Sequence, residues 1–240
     1  MDRKSIRKRR KKAVRGTFTL SILLICSICP LIWPFRCKAK SIVYRPDFSY
    51  NKLSGNIKKR INGVSYHKNP NVKYSDLRYV IVRYIDFNGN ERRGELIVNK
   101  KIAKKTVRIF YELYQMKYPI EKIGLIDEYV ADDSKSMAAN NTCAFNYRTV
   151  AGSGKLSKHA YGLAIDINPR INPWVRSGKV LPVNGKVYAN RNRKTCKGKY
   201  AKWMIKKNDS IVKIFKKYGF SWGGDWVYLK DYQHFEWNKS

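Results

Sequence analysis

The residues best suited to bind a metal ion are few in this sequence and lie mainly in two short segments. Only three of the 240 residues are histidines, namely His67, His159 and His234. An alternating stretch at 162–168 comes after His159 and, as a strand, would place Asp166 on one face beside a small neighbour. A carboxylate with open space in front of it suits a metal or ligand site. His67 lies in an irregular, polar part of the chain and is expected to have no metal role.

The second segment, residues 231–237 (DYQHFEW), contains two carboxylates beside a histidine. As a strand, it would place His234 and Glu236 on one face and aromatic residues on the other. Two imidazoles and one carboxylate around a divalent ion leave one position for water, as in catalytic zinc sites, and Asp231 lies close enough in sequence to take the proton of that water. Residue types alone also allow structural histidines or an iron oxygenase, which uses two histidines and one carboxylate as well.

Together these segments resemble a known family of enzymes. The pattern Ser-x-His-x-x-Gly-x-Ala-x-Asp at 157–166 is followed about seventy residues later by an acid three positions before a second histidine. This arrangement is similar to that of the zinc D-alanyl-D-alanine carboxypeptidases and the L-alanyl-D-glutamate endopeptidases of bacteria and their phages. The resemblance begins near Asp132, includes 140–148 (NNTCAFNYR) and 223–226 (GGDW), and continues to the C-terminus. It implies a small antiparallel sheet flanked by helices.

The resemblance also implies the composition of the site. One zinc ion would be bound by His159, Asp166 and His234, with Asp231 as the catalytic base. Many relatives carry Glu where this chain has Asp231, so the shorter side chain must still reach the water. Glu236 remains the alternative candidate for base or ligand.

Two further residues receive roles from the resemblance. Arg148 would hold a substrate carboxylate or the developing oxyanion, and Ser157 would support the site. The implied substrates are the stem peptides of peptidoglycan. A free terminal carboxylate on the substrate would mean carboxypeptidase action, and a D-glutamate within the stem would mean endopeptidase action. A non-catalytic wall-binding protein is the remaining alternative and would need no acid at position 231.

The secondary-structure elements that would position the candidate site residues are short strands interspersed with two helices, a pattern that predicts a single α+β domain. Alternation and turn residues predict a hairpin of strand 78–87, turn Asn88-Gly89 and a second strand to Val98, and they predict a short strand at 123–130. Helical spacing predicts a helix from a cap at Asn99 to about Lys117, stopped by Pro119, and another from Asn208 or Asp209 to Tyr218.

The charge of the chain is distributed unevenly. Lys and Arg number 51 against 17 Asp and Glu, a formal net charge of +34, and residues 1–40 contribute +11 of it. A basic, cytoplasmic N-terminus at 1–16 precedes an uncharged apolar stretch at 17–35, typical of a signal peptide or transmembrane anchor that exports the rest of the chain. A tether is predicted over 36–75 and the metallopeptidase domain over 76–240.

Export changes the interpretation of the basic residues and of the cysteines. An extracytoplasmic bacterial protein, membrane-anchored or secreted, is expected to meet an anionic cell-wall polymer, and no nucleic acid is expected as a partner. Cys143 and Cys196 are the two cysteines of residues 41–240, and an oxidising compartment permits a disulfide between them.

Overall fold

Short strands and four α-helices form the part of the chain, residues 41–238, that this computed structural model describes. The helices are α1 (Gly55–Ile61), α2 (Ala103–Gln115), α3 (Asp133–Ala138) and α4 (Ser210–Lys217). The strands are β1 (Ile42–Arg45), β2 (Phe48–Lys52), β3 (Leu77–Ile85), β4 (Glu91–Asn99), β5 (Lys122–Ile123), β6 (Asn141–Thr142), β7 (Ala164–Asp166), β8 (Trp174–Arg176), β9 (Lys179–Leu181), β10 (Phe220–Trp222), β11 (Lys230–Asp231) and β12 (His234–Trp237). The predicted α+β class is confirmed.

The strands are arranged in small sheets, most of them antiparallel. One sheet has four strands in the order β1-β2-β3-β4, and two others have three strands each, in the orders β10-β12-β7 and β11-β8-β9. β5 and β6 form a short parallel pair. The two three-stranded sheets contain three of the predicted site residues, because β7 ends at Asp166, β11 ends at Asp231 and β12 begins at His234.

The first two strands correct the predicted tether. Residues 42–52 form the hairpin β1–β2, and β2 pairs with β3 over four residues. Phe48 is buried in the main core, and α1 comes next with Ser54 as its N-cap. The polar composition and Pro46 suggested an irregular segment, but β2 pairs with β3 and buries Phe48, and both are long-range contacts that local composition does not show. The tether prediction is therefore wrong for residues 42–61, and the folded domain begins well before residue 76.

The predicted hairpin and its helix are present with small shifts. β3 and β4 pair along nine residues, and the Asp86 side chain accepts hydrogen bonds from the backbone N–H groups of Asn88 and Asn90 in the turn. The next helix begins at Ala103 rather than directly after Asn99, whose side chain accepts from the backbone of Lys101 in a preceding turn. This helix buries its apolar face against β3 in the main core.

The stretch at 123–130 differs from the strand expected there. Only Lys122–Ile123 is extended, and a 3-10 turn over Ile126–Tyr129 ends at Val130 with a left-handed backbone. Ile123, Leu125 and Ile126 are buried in a loop, whereas Val130 is exposed, so the apolar composition of the stretch reflects burial of its first half rather than strand pairing. The second predicted helix is confirmed as α4, preceded by Asp209.

The predicted N-terminal segments lie largely outside the part of the chain that the structure describes. The proposed cytoplasmic N-terminus at 1–16 and membrane segment at 17–35 lie outside the described residues, as do positions 36–40 of the tether. Within residues 41–238, no helix is long and apolar enough to cross a membrane.

Cys143 and Cys196 are both free thiols, so the predicted disulfide is wrong. Cys143 pairs with β7, whereas Cys196 packs in a separate small core cluster around Tyr188 and Met204.

Candidate metal centre

Three buried side chains from distant parts of the sequence converge at one point. His159 Nε2 lies 3.1 Å from His234 Nδ1 and 3.3 Å from Asp166 Oδ1. His234 Nδ1 lies 3.1 Å from the same carboxylate oxygen. The three atoms therefore form a nearly equilateral triangle, and the structure brings together the three residues for which the sequence predicts metal binding.

A short capped turn orients His159. Ser157 is the N-cap of the 3-10 turn Lys158–Tyr161, and its hydroxyl accepts a hydrogen bond from the backbone N–H of His159. Gly162 ends this turn with φ of +65°, and a Cβ there would lie 2.7 Å from the backbone nitrogen of Asn99. The glycine is thus required both by its left-handed conformation and by the close approach of β4.

Hydrogen bonding also selects the tautomer of His159. Its Nδ1 contacts the carbonyl oxygen of Ala144, an acceptor, so the proton resides on Nδ1. The lone pair of Nε2 is then directed at the triangle of ligand atoms. This is the arrangement by which a second contact commonly orients a metal-binding imidazole.

Strand pairing positions the other two ligands. In the antiparallel pair of β7 and β12, His234 lies directly opposite Asp166, and Phe235 lies opposite Ile165. Phe235 and Ile165 are fully buried in the main core, where the Phe235 ring stacks on Phe215 of α4 at 3.9 Å. Since side chains alternate along a strand, burial of this apolar face turns the imidazole and the carboxylate together towards the site.

Glu236 holds the outer side of the His234 ring. Its Oε2 lies 3.2 Å from His234 Nε2, the ring nitrogen that does not face the triangle. Asn238 donates a hydrogen bond to the other carboxylate oxygen at 2.9 Å. The geometry places Glu236 behind a ligand rather than among the ligands.

Asp231 reaches the site from the neighbouring sheet. It pairs with Trp174 across β8–β11, and its Oδ1 is buried without a hydrogen-bond partner among the described residues. Gly223 makes this position accessible, because a Cβ on residue 223 would lie 2.6 Å from the backbone oxygen of Asp231 and 2.9 Å from its Cβ. Any side chain at 223 would push β11 away. An unpartnered buried oxygen beside metal-binding groups is suited to accept a proton from a bound water.

The two aspartates have opposite pKa shifts. Burial would raise the pKa of Asp166, but the nearby imidazoles of His159 and His234 hold it well below its usual range. Burial raises the pKa of Asp231 to about 7, and the negative charge of Asp166 adds to this effect while His234 opposes it. Asp166 therefore remains an anionic ligand, whereas Asp231 is placed to gain and lose a proton near neutral pH.

Glu236 and His234 shift each other's pKa in opposite directions. Burial alone would lower the pKa of His234, yet its hydrogen bonds to Asp166 and Glu236 raise it to about 10. Burial would raise the pKa of Glu236, but its hydrogen bond to His234 lowers it to about 2. The negative surroundings therefore attract a positive charge, either a proton or a metal ion, to Nδ1 of His234.

The donor set fits a zinc ion. For tetrahedral coordination at 2.0–2.2 Å, the ligand atoms lie about 3.3–3.6 Å apart, close to the spacing of His159 Nε2, Asp166 Oδ1 and His234 Nδ1. Two imidazoles and one carboxylate supply three of the four ligands and leave one position for water, as in catalytic rather than structural zinc centres. The Trp226 ring packs against the His234 ring, with 5.3 Å between the ring centroids.

The other predicted residues have partners of their own. Arg148 forms an ion pair with Asp133, the first residue of α3, and its backbone oxygen accepts from the N–H of Ser157. The contributions of the Ala144 carbonyl and of Gly223 were not foreseen, since a carbonyl contact leaves no signal in residue type. The glycine pair at 223–224 was part of the resemblance, but its contact with β11 depends on tertiary structure.

Comparison with known proteins supports the resemblance. Residues 151–237 match a family model described as D-alanyl-D-alanine carboxypeptidase. The matched segment contains His159, Asp166, Asp231 and His234, and it leaves out Arg148. The comparisons with curated proteins and with solved structures give no match. The match supports a peptidase similar to the D-alanyl-D-alanine carboxypeptidases, and the buried group of His159, Asp166 and His234 could bind a metal ion.

Proposed function

We propose that this protein is a zinc-dependent peptidase that hydrolyses a peptide bond in the stem peptides of peptidoglycan. The observation that carries the proposal is the buried triangle of His159, Asp166 and His234, with Asp231 beside it, inside the segment that matches the carboxypeptidase family. One zinc ion would be held by these three ligands. When bound, zinc lowers the pKa of a coordinated water to about 7 and polarises a carbonyl group.

Side chains of the protein would transfer the protons and hold the ligands in place. Asp231 Oδ1, buried and without a partner among the described residues, accepts the proton of the attacking water and later returns it to the leaving amine. Burial raises the pKa of Asp231 in the metal-free site, a direction that suits a carboxylate which takes up and releases a proton. Asp166 and the two histidines stay fixed by strand pairing and by the carbonyl of Ala144, so the site needs little rearrangement during the reaction.

Arg148 is our candidate for substrate recognition. Its guanidinium is part-exposed and pairs with Asp133, so a substrate carboxylate can compete for it through two parallel hydrogen bonds. A terminal carboxylate in this position gives D-alanyl-D-alanine carboxypeptidase action, and the carboxylate of a D-glutamate gives L-alanyl-D-glutamate endopeptidase action. Ser157 supports the site through its cap of the His159 turn.

The proposal includes a location outside the cytoplasm. The basic residues at 1–16 and the apolar stretch at 17–35 favour export of a bacterial protein, either anchored or secreted. Peptidoglycan stem peptides lie in that compartment. The basic domain would also meet the anionic polymers of the wall there.

Mass spectrometry of digested peptidoglycan tests the function directly. Purified sacculi are incubated with the full chain, with and without a chelator, and the released fragments are weighed. Release of single D-alanine identifies carboxypeptidase action, and separation of the stem after its first residue identifies endopeptidase action. We expect Asp231→Asn to lower kcat about 100-fold or more while the protein keeps its zinc. Full hydrolysis by Asp231→Asn would refute the assigned base, and an absence of any zinc-dependent cleavage by the native chain would favour a wall-binding protein.

A further inference from the structure

One continuous segment of the domain is basic without any acid. Residues 174–207, from β8 to the turn before α4, contain eleven Lys and Arg residues and no Asp or Glu. Eight of the basic residues are exposed, and none of these eight forms an ion pair with a carboxylate of residues 41–238. The exposed cations are Arg176, Lys179, Lys186, Lys194, Lys197, Lys199, Lys202 and Lys207.

Many charges elsewhere on the described surface are paired. Arg83 contacts both Asp47 and Glu91, and Lys100 contacts Asp76. Clustered cations without acidic partners repel one another and attract anions. Residues 174–207 carry +11 of the net charge of +23 that residues 41–240 hold, and we call the surface that they form the basic surface.

The basic surface is held on an ordered scaffold. The guanidinium of Arg191 donates hydrogen bonds to the carbonyl oxygens of Ile171, Tyr188 and Ile205 and to the side-chain oxygen of Asn172. These acceptors are neutral, so the charge of this largely buried arginine is not compensated by them. These hydrogen bonds hold the backbone that carries the exposed cations around the side chain of Arg191.

The basic surface is joined to the catalytic strand. Trp174, its first residue, pairs with Asp231 across β8–β11. A groove alongside is lined by Arg191, Lys206, Lys207 and Lys230, together with the ring of Tyr232 and other residues. Asp225 is the carboxylate that lines this groove, and it pairs with Lys216. An anion in the groove would consequently lie beside the strand that carries the proposed base.

We propose that the basic surface and its groove bind a phosphodiester-linked anionic polymer of the bacterial wall and so hold the enzyme next to its substrate. This proposal rests on the proposed function, which places the protein at the wall. Cations spread over more than thirty residues match a polymer with regularly repeated charges better than a stem peptide with a few carboxylates. Seven of the eight exposed cations are lysines, which bind phosphates as hydrated point charges rather than through planar, bidentate recognition.

Sedimentation with purified sacculi tests the proposal. The full chain, kept in mild detergent, is mixed with sacculi that carry their phosphodiester polymer and with sacculi from which acid has removed it. We compare the native protein with the triple variant Lys194→Gln, Lys197→Gln, Lys207→Gln. The matched control replaces Lys52, Lys59 and Lys68, which are equally exposed but lie in the N-terminal part of the domain.

The expected result has three parts. The native protein binds polymer-bearing sacculi more tightly than stripped ones, and the affinity falls with salt. The first triple variant reduces the slope of log affinity against log salt by about two, taking ~0.7 per phosphate contact on a flexible chain. The control variant binds like the native protein, and both variants hydrolyse small, isolated muropeptides at the native rate.

Several outcomes would overturn the proposal. Equal losses in the two triple variants would show that only net charge matters, and equal binding to stripped sacculi would show that the polymer is not the partner. Tighter binding of duplex DNA than of wall polymer, weakened by the same triple, would assign the surface to nucleic acid. Failure of the native protein to cleave muropeptides would instead refute the proposed function, because the binding assay does not depend on catalysis.

Discussion

Replacement of Glu236 distinguishes a residue that orients a ligand from one that performs the chemistry. In the structure its carboxylate contacts Nε2 of His234 at 3.2 Å, on the side of the ring away from Asp166 and His159. This contact keeps one proton on Nε2, so Nδ1 is the nitrogen that binds the metal once the second proton of the ring is displaced. We therefore expect Glu236→Ala to weaken zinc binding and not to abolish the proton transfer assigned to Asp231.

The magnitude is set by the single contact that is lost. A hydrogen bond to a charged group contributes about 1.5–3 kcal/mol, which corresponds to roughly 10- to 150-fold in an equilibrium constant. Loss of comparable outer contacts in metalloproteins typically costs about 10–100-fold in metal affinity. Glu236→Gln keeps an acceptor oxygen for Nε2 but loses the charge, so we expect its loss of affinity to be clearly smaller than that of Glu236→Ala.

Competition with a chromophoric chelator measures this affinity without reference to activity. Glu112→Ala is the matched control, because Glu112 also accepts hydrogen bonds from its neighbours, Lys217 and Tyr218, but contacts none of the ligands. Zinc affinity in Glu236→Ala within twofold of the native value, combined with lost turnover, would refute the reasoning. It would then identify Glu236 as the base in place of Asp231.

Three further predictions concern the same framework. Because zinc must displace the proton that His234 holds with a pKa of about 10, the apparent zinc affinity should rise about tenfold per pH unit between about pH 7 and 9; competition titrations that show no pH dependence would contradict this. Gly223→Ala should lower kcat more than zinc affinity, since the new Cβ would collide with Asp231, and a native kcat would show that β11 can shift freely. Phe235→Ala should reduce the free energy of unfolding by about 3–5 kcal/mol in chemical denaturation, because it leaves a cavity beside Phe215 in the main core; a loss below about 1 kcal/mol would mean that the core collapses around it.

The ligands were predictable because their spacing is local or alternates along strands. His159 and Asp166 fall in one motif, and alternation at 234–237 predicts correctly that His234 and Glu236 share a face. The relation between the two segments was available only through the family resemblance. Without it, residue types could not distinguish Glu236 from Asp231 as the base, since both lie within three positions of His234.

The errors in the sequence-based predictions have physical causes. The hairpin at 42–52 was missed because its strands are only four and five residues long, while the burial of Phe48 in the main core is a long-range contact. The disulfide between Cys143 and Cys196 was inferred from compartment alone, and compartment does not bring two side chains together. The stretch at 123–130 contains apolar residues that a buried loop uses as readily as a strand.

The aspartate at position 231 shows how the local fold and the chemistry depend on each other. A carboxylate on the shorter side chain can serve as base only if its backbone lies close to the metal ligands. The missing side chain at Gly223 allows that approach, because the backbone oxygen of Asp231 occupies space where a Cβ would stand. The same strand is held from its other side by β8, at the start of the basic surface. Binding of a polymer to that surface would therefore affect the position of the strand that carries the base. We expect added soluble polymer to change the rate of muropeptide hydrolysis by the native protein. The same addition should change the rate less in the triple variant of Lys194, Lys197 and Lys207.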